Sequence, residues 1–424
     1  MRTAALGTSQ AKWAVACLLA VLCFSAGRRA EAQGDWSQWG GPARNFSVKA
    51  KGLAAAWPEK GPRQLWKRDL GEGHSAVVAD GEALYTMYSR GGQEAVVALD
   101  PSTGKTLWEH KYDAPVAGMN FEFGAGPHST PLVAGDKVFA VGATGKMHAL
   151  DRKTGKVAWS HDLWAEYGGT RLDRGYSCSP AAYKGTVIVF VGGRGQAVMA
   201  FDQRDGRVAW RRQDLEISPN SPLVINVDGQ DQLVAFMGTH VAGLDPSNGD
   251  LLWSYPHATD FGLNISTPVW GADDNTLFIS SAYSGGSRAL KLSRDKATGK
   301  TTPTELWFHR RLRVHHSNAV RIGDYIYGSS GDFGPSFVAA VDVKTGKILW
   351  QDRGFPKANF INADGRLIIL DEDGNLALAE PSPAGLKVVS KAEVLQKTAW
   401  TAPTLVGTRL YLRDRRSITA LDLS

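Results

Sequence analysis

One motif returns along this chain and constrains the fold more than any other feature. Ala98-Leu99-Asp100 leads through Thr103-Gly104-Lys105 to Trp108, and Ala149-Leu150-Asp151 through Thr154-Gly155-Lys156 to Trp159. Ala200-Phe201-Asp202 leads through Gly206-Arg207 to Trp210, and Gly243-Leu244-Asp245 through Asn248-Gly249 to Trp253. Ala340-Val341-Asp342 leads through Thr345-Gly346-Lys347 to Trp350. A stretched copy runs from Leu290 through Thr298-Gly299-Lys300 to Trp307, and a decayed one surrounds Ala384-Gly385-Leu386. From Trp108 to Trp350 the tryptophans are spaced 51, 51, 43, 54 and 43 residues apart. A period of roughly 40–50 residues built on short β-type segments is the signature of propeller blades.

The motif has a local physical reading. Alternating apolar residues before the Asp form a strand, and Asp-x-x-Thr-Gly-Lys makes a hairpin turn. Gly takes the positive φ, while the Asp and Thr side chains bond turn backbone groups. The Trp opens the next strand and can bury its ring against the neighbouring blade. The 47 glycines among 424 residues exceed the usual ~7% and suit a fold rich in tight turns.

Two further strands precede each motif; in the second set they are Thr130–Val133 and Lys137–Gly142. The last set, Ala402–Val406, Arg409–Arg413 and Ser417–Leu423, lacks its outer strand, and Gln64-Leu65-Trp66-Lys67 is free to supply it. The expected fold is therefore all-β: an eight-bladed β-propeller of four-stranded antiparallel blades over 64–424. Pairing of the N-terminal strand with the C-terminal blade closes the ring and leaves no open sheet edge between first and last. Residues 33–63 read as an N-terminal extension.

The segment 1–32 reads as a secretory signal peptide. Arg2 and Lys12 precede an uncharged stretch from Trp13 to Ala26, and Ala30-Glu31-Ala32 supplies a small-x-small cleavage pattern. Fourteen residues fall short of the ~20 needed to span a bilayer, and no comparable run follows, so the mature chain should have no transmembrane segment. Cleavage near Ala32 predicts a periplasmic or secreted protein. Removing Arg2, Lys12, Arg28, Arg29 and Glu31 lowers the net charge from +6 to +3. A balanced surface gives no reason to expect nucleic acid. Cys17 and Cys23 leave with the signal, so Cys178 stands alone without a disulfide partner. No Leu stands three residues before Cys17, so a lipid anchor is not expected.

The repeat Ala-x-Asp-x-x-Thr-Gly-Lys-x-x-Trp resembles that of the pyrroloquinoline-quinone (PQQ)-like repeat family of eight-bladed propellers, over nearly all of 64–424. Asp35-Trp36-Ser37-Gln38-Trp39-Gly40-Gly41-Pro42 also looks like the leader of secreted bacterial members. The resemblance implies one of two uses. One is PQQ-dependent alcohol or sugar dehydrogenation, with Ca. The other is a non-catalytic role similar to that of the lipoprotein of the outer-membrane β-barrel assembly machinery. Fold likeness does not choose between them. The chain has neither the adjacent cysteines that the large dehydrogenases usually carry beside the cofactor nor a Cys-x-x-Cys-His haem site.

Two groups of residues are candidates for binding. In a propeller, the connectors from outer to next inner strand share a face with the loops joining second and third strands. Two connectors are long, His110–Pro127 and His161–Tyr176. They carry Phe121, Phe123, Trp164, Tyr167, Arg171 and Arg174, and an inner hairpin adds Arg288. Exposed aromatics mixed with Arg have the composition of interface hot spots; the competing reading has these loops fold onto themselves and bury their rings. The second group appears when inner-strand entries are aligned. One column reads Ser75, Ser129, Cys178, Asn220, Ser266, Ser317, Asn359, Thr401, and the one before it includes His74, His128, His316 and Trp400. These could line a polar, water-filled funnel with three histidines at its rim and hold a cofactor, or the small polar residues could simply satisfy strand-end backbone groups.

Zinc is not expected, because its ligands must converge within ~2.1 Å of one ion. His316 belongs on the far side of the ring from His74 and His128, and adjacent His315 and His316 should diverge on a strand. Asp371-Glu372-Asp373-Gly374-Asn375 reads as a hairpin turn rather than a calcium loop. Gly192-Gly193-Arg194-Gly195 precedes a strand and is no phosphate loop. No residue is assigned as catalytic. The expectation is a secreted, non-catalytic scaffold for envelope proteins, with no cofactor; a PQQ-dependent oxidoreductase and a glycan-binding propeller are the alternatives.

Overall fold

The computed structural model describes Met1 and residues 35–122, 124–332 and 334–424. The expected signal peptide with Cys17, Cys23 and Ala32, together with Phe123, lies outside the described residues. Eight sheets, each built on four antiparallel strands and seven of them in sequence order from inner to outer, make an eight-bladed propeller. Among the described residues there is no α-helix, and none long and apolar enough to cross a membrane. Blades 1 to 7 span 78–113, 132–162, 181–212, 223–256, 269–309, 314–352 and 358–393. Blade 8 takes Thr404–Val406, Arg409–Arg413 and Ser417–Asp422 from the C-terminus and its outer strand, Arg63–Asp69, from the N-terminus. That pairing sets Arg63 against Asp422 and Asp69 against Ser417, closing the ring as expected.

The repeated motif acts as its chemistry predicts. Asp100 accepts from the backbone N–H of Ser102 and Thr103 and from the Thr103 hydroxyl at 2.8–2.9 Å. Asp151 and Asp342 repeat the turn. Each third–fourth strand pair then shifts register at one point, as between Ala98↔Trp108 and Leu99↔Thr106. The bulge re-aims the strand so that the Trp faces the next blade.

There the ring lies on the turn glycine. An added Cβ on Gly155, at φ +69°, would stand 2.5 Å from the Trp108 ring; Gly104, Gly206, Gly249 and Gly346 meet Trp66, Trp159, Trp210 and Trp307 in the same way. The indole N–H donates to a carbonyl of the same turn: Trp108 to Arg152 at 2.9 Å, Trp307 to Val343 and Trp350 to Ser382 at 2.8 Å.

The centre of the ring holds the chain's own N-terminal segment. Trp36 forms an antiparallel bridge with Ala79 of blade 1, and Ser37 O accepts from Val133 N–H of blade 2 at 2.7 Å. The Trp39 indole donates to Thr267 of blade 5 at 2.8 Å, and Arg44 donates to Pro180 O of blade 3 at 3.1 Å. Ser47–Val48 then adds a parallel fifth strand to the inner edge of blade 7, Ser47 against Asn362. Gly40 and Gly41 both take positive φ in the turn, and a Cβ on Gly41 would press on the Trp36 ring at 3.2 Å. Trp36 and Phe46 are each 1% exposed, and Trp39 meets Phe46 edge-on at 5.2 Å.

The docking contact predicts an asymmetry between two glycines of similar φ. Gly155→Ala should cost about 1–3 kcal/mol more than Gly185→Ala, because Gly185, at φ +84°, has nothing within 4 Å of its added Cβ. Urea-unfolding midpoints of the two variants measure this. Equal losses would mean that the Trp contact does not limit the turn.

Candidate functional site

All eight residues of the small polar column are present at the inner-strand entries, and all are buried at 0–4% exposure. They do not line an open funnel. Ser129 donates to Val141 O, Ser266 to Ser280 O at 2.5 Å, Asn220 to Ser266 O at 2.7 Å, and Asn359 to Trp400 O at 3.0 Å. Cys178 receives the Phe190 N–H at 3.5 Å, and burial pushes its thiol up to about 11, so it is a packed residue. Seven of the eight bond backbone groups, while Ser317 Oγ and Asn220 Oδ1 are buried without a partner among the described residues, and the N-terminal segment occupies the channel beside the column. The burial of the column supports a closed channel over an open funnel.

Above the column, the rim is a contiguous run of rings. His316 lies 4.5 Å from Trp400, Trp400 5.6 Å from His74, His74 5.5 Å from His128, and His128 6.2 Å from Phe121. His316 is thus not isolated across the ring; the Trp400 indole spans the gap to His74. Nor do His315 and His316 diverge, their rings being 4.9 Å apart. The reason is a register break between Val314 and Ala319, where strict strand alternation is suspended. Tyr283 donates to His315 Nε2 at 2.7 Å.

Burial is the main cause that pulls His128 and His315 down to about 4, with the charges of Arg174 and Lys357 adding to it, and it holds His316 well below its ordinary value. His128, His315 and His316 are therefore neutral imidazoles at pH 7. Carboxylates near it are engaged: Asp332 pairs with Arg313 at 3.1 Å, and Glu372 accepts the Trp400 indole N–H at 2.9 Å. Among the described residues no three His, Cys, Asp or Glu side chains converge to hold a metal ion. Asp371 accepts from Asp373 and Asn375 backbone N–H groups at 3.1 and 2.9 Å, making the turn.

The two long connectors lie against one another, Asn120 N–H donating to Asp173 O at 2.9 Å. Their aromatics are less exposed than an interface hot spot requires. Trp164 is 9% exposed, lying over Gly145 with Arg171 across its ring at 5.1 Å. Phe121 and Tyr167 are half-buried, Tyr167 bonding His161 at 3.2 Å. The physical reason is that each loop has its own apolar floor, Met119, Tyr167 and Leu172 packing on the blade 2–3 core. Arg171 and Arg174 remain exposed. Arg288 is committed internally, to Glu305 at 2.6 Å and His257 Nδ1 at 3.0 Å.

Two further features lie on this face, each beside a hairpin residue the sequence places there, Tyr283 and Arg194. Phe261 is 63% exposed beside Tyr283, its ring 5.2 Å away; its one signal is an isolated aromatic in a polar connector. An open groove of about 360 Å³ is lined by Thr170, Gly193, Arg194, Asp214, Leu215, Glu216 and Ile217. It joins a long connector to the Gly-rich hairpin and the next connector, a juxtaposition that no local pattern announces.

The family described as outer membrane protein assembly factor BamB, defined on PQQ-like repeats, matches residues 50–172 and 94–352. The chain belongs to this family. It is 24% identical to BamB of Yersinia pestis over 303 residues, which is 68% of this chain and 72% of that protein. It is 33% identical to quinohemoprotein alcohol dehydrogenase ADH IIB of Pseudomonas putida over 144 residues, 32% of this chain and 20% of that protein. The chain thus spans about a fifth of that dehydrogenase's length. BamB from Moraxella catarrhalis superposes with a TM-score of 0.58 at 17% identity, covering 85% of this chain and 97% of that one. Quinohemoprotein alcohol dehydrogenase from Comamonas testosteroni gives 0.61 at 14%, covering 92% and 80%. These likenesses establish the fold.

Buried neutral histidines give the protein a pH signature. His257 is 1% exposed, accepts from Arg288, and is drawn down to about 3 by burial and then by that guanidinium. Its folded pKa is below its unfolded one, so its contribution to stability is complete above about 6.5 and falls as pH drops toward 3. The loss is about 1.4 kcal/mol per pH unit for each such group. Urea unfolding from pH 7 to 4 should show it, and His257→Gln should remove about one proton from the slope. An unchanged slope would mean that His257 titrates normally.

Proposed function

We propose that this protein works in the bacterial cell envelope as a non-catalytic scaffold that binds protein partners through its long-connector face. The observation that carries this reading is the filled channel. Trp36, Trp39, Arg44 and Ser47 tie the N-terminal segment to blades 1, 5, 3 and 7, and His316, Trp400, His74 and His128 form a run of neighbouring rings at the rim. This arrangement supports a reading without PQQ and Ca. The match to BamB runs over 68% of the chain, whereas that to the dehydrogenase spans 32%. The signal-peptide reading of 1–32 supports a periplasmic location, with the propeller proper over 64–424.

The binding surface we assign comprises Arg171, Arg174, Phe261 and the groove beside Thr170 and Arg194. Exposed Arg and a single prominent aromatic next to a concave groove are the elements of a protein-binding anchor site. Trp164, Tyr167 and Phe121 support it from beneath, and Arg288 orders the adjoining blade. The same surface would suit a glycan less well, since sugar stacking needs several open ring faces and, among the described residues of this surface, Phe261 alone is prominently exposed.

Photo-crosslinking residues placed at 171, 174 and 261 should capture outer-membrane assembly proteins in cells. The same probe at Lys153 and Arg204, in turns of the opposite face, should not. Equal capture from both faces, or none from either, would overturn the assignment. Mature protein mixed with PQQ and Ca²⁺ should show no thermal shift; a saturable rise would return the cofactor reading, since a native-state ligand must stabilise.

A further inference from the structure

Arg44 stands inside the channel and is 5% exposed. Its Nη1 donates to Pro180 O at 3.1 Å and to Gln38 Oε1 at 3.2 Å. Its Nε and Nη2 are buried and meet no acceptor among the described residues. A guanidinium offers five N–H donors in a planar fork and remains protonated at physiological pH. Desolvation draws Arg44 down to about 10, still a cation at pH 7. The group whose charge it feels is Cys178, and that thiol, at about 11, is neutral at pH 7. A buried cation without a counter-charge costs several kcal/mol.

The other buried arginine shows how this chain otherwise meets that cost. Arg413, 1% exposed, donates to Ser75 O at 3.0 Å, Thr86 Oγ1 at 3.2 Å, Met87 O and Gly71 O at 3.2 Å. Arg44 uses one nitrogen where Arg413 uses two, and it has no carboxylate beside it. The unused Nε–H and Nη2–H lie on the same edge of the guanidinium fork, the arrangement that takes one spherical anion or two oxygens of an oxyanion. Both nitrogens are closed off from solvent, and Trp36 and Phe46 of the same segment are each 1% exposed, so the free edge has no open approach.

We propose that Arg44 holds a small inorganic anion, buried in the propeller channel against its Nε and Nη2. The anion is acquired as the N-terminal segment folds into the ring, and it lets a charged residue remain there. The site belongs to the Trp-x-x-Trp-Gly-Gly-Pro segment and is independent of the partner-binding face.

Long-wavelength anomalous diffraction from crystals of the mature protein tests this directly, because chloride, sulfate and phosphate scatter anomalously and water does not. Cys178 supplies a sulfur reference nearby. The expected result is a peak against Arg44 Nε and Nη2 comparable with that of Cys178 Sγ, spherical for a halide and tetrahedral for an oxyanion. Density without anomalous signal, or no density, overturns the proposal. Arg44→Met, uncharged and of similar length, should lose the peak while keeping the native circular dichroism; a peak that persists in it also overturns the assignment. If Arg44→Met fails to fold, the native crystal alone decides.

Discussion

The contact of five outer-strand tryptophans with the next blade's turn glycine is the interaction on which this ring depends. A four-stranded blade cannot bury both of its faces alone, so its stability lies in its neighbours. The indole meets that need in one residue. It buries a large ring, worth roughly 2–3 kcal/mol as area, and fixes distance and angle through one N–H donor. The glycine is required twice over, by its positive φ and by the ring lying where a Cβ would be. A second belt runs inside the first. Ala76 N–H donates to Thr130 Oγ1, Thr130 N–H to Ser179 Oγ and Ser179 N–H to Ser221 Oγ, all at 2.9–3.0 Å, each crossing one blade boundary. Outer indoles and inner hydroxyls thus clamp successive blades at two radii.

Where the outer clamp lapses, other parts of the chain take its place. Trp253 faces the stretched blade, whose turn glycine, Gly299, lies out of reach; its indole instead donates to Gln232 at 2.7 Å, which donates in turn to Thr301 at 2.7 Å. Blade 7 carries Val388 at the tryptophan position, and that seam is covered by N-terminal residues. Ala54 N–H donates to Leu423 O at 2.8 Å, Trp57 N–H to Ser390 at 2.8 Å, and Gly61 packs on Ala392. The closing seam is the most elaborate: Trp66 docks on Gly104 outside while Arg413 threads its guanidinium among blade 1 carbonyls inside. A ring whose ends are held this way cannot open at the join without losing a buried arginine's partners.

Legibility in the sequence follows the range of each interaction. Asp100 to Trp108 is a local unit whose turn, bulge and ring position recur unchanged, so blade number and closure could be read from spacing. The column from Ser75 to Thr401 was likewise visible, because eight equivalent entries must share one environment. What could not be read was the occupant of the axis. Trp36, Trp39 and Arg44 touch blades 1, 5 and 3, contacts separated by up to 228 residues and carrying no period. The leader motif was conspicuous, yet only the assembled ring supplies the surface it fills. The choice between exposed and buried loop aromatics was left open by the sequence for a related reason: Trp164 packs on Gly145, inside the neighbouring hairpin of its own blade, and neither residue signals the other.

The filled axis also bears on what kind of partner this propeller can serve. A channel open from face to face invites a ligand on the symmetry axis, where all blades contribute equally. Here the axis is spent on internal cohesion, tied to five blades by Trp36, Ser37, Trp39, Arg44 and Ser47. Distinctive chemistry is thereby moved outward, to places where one blade differs from the rest. The two long connectors and the groove beside Arg194 lie on blades 1 to 4, so the surface is lopsided although the core is nearly symmetric. A lopsided face on a rigid ring presents a partner with one orientation, which is the property a scaffold needs and an axial cofactor site does not.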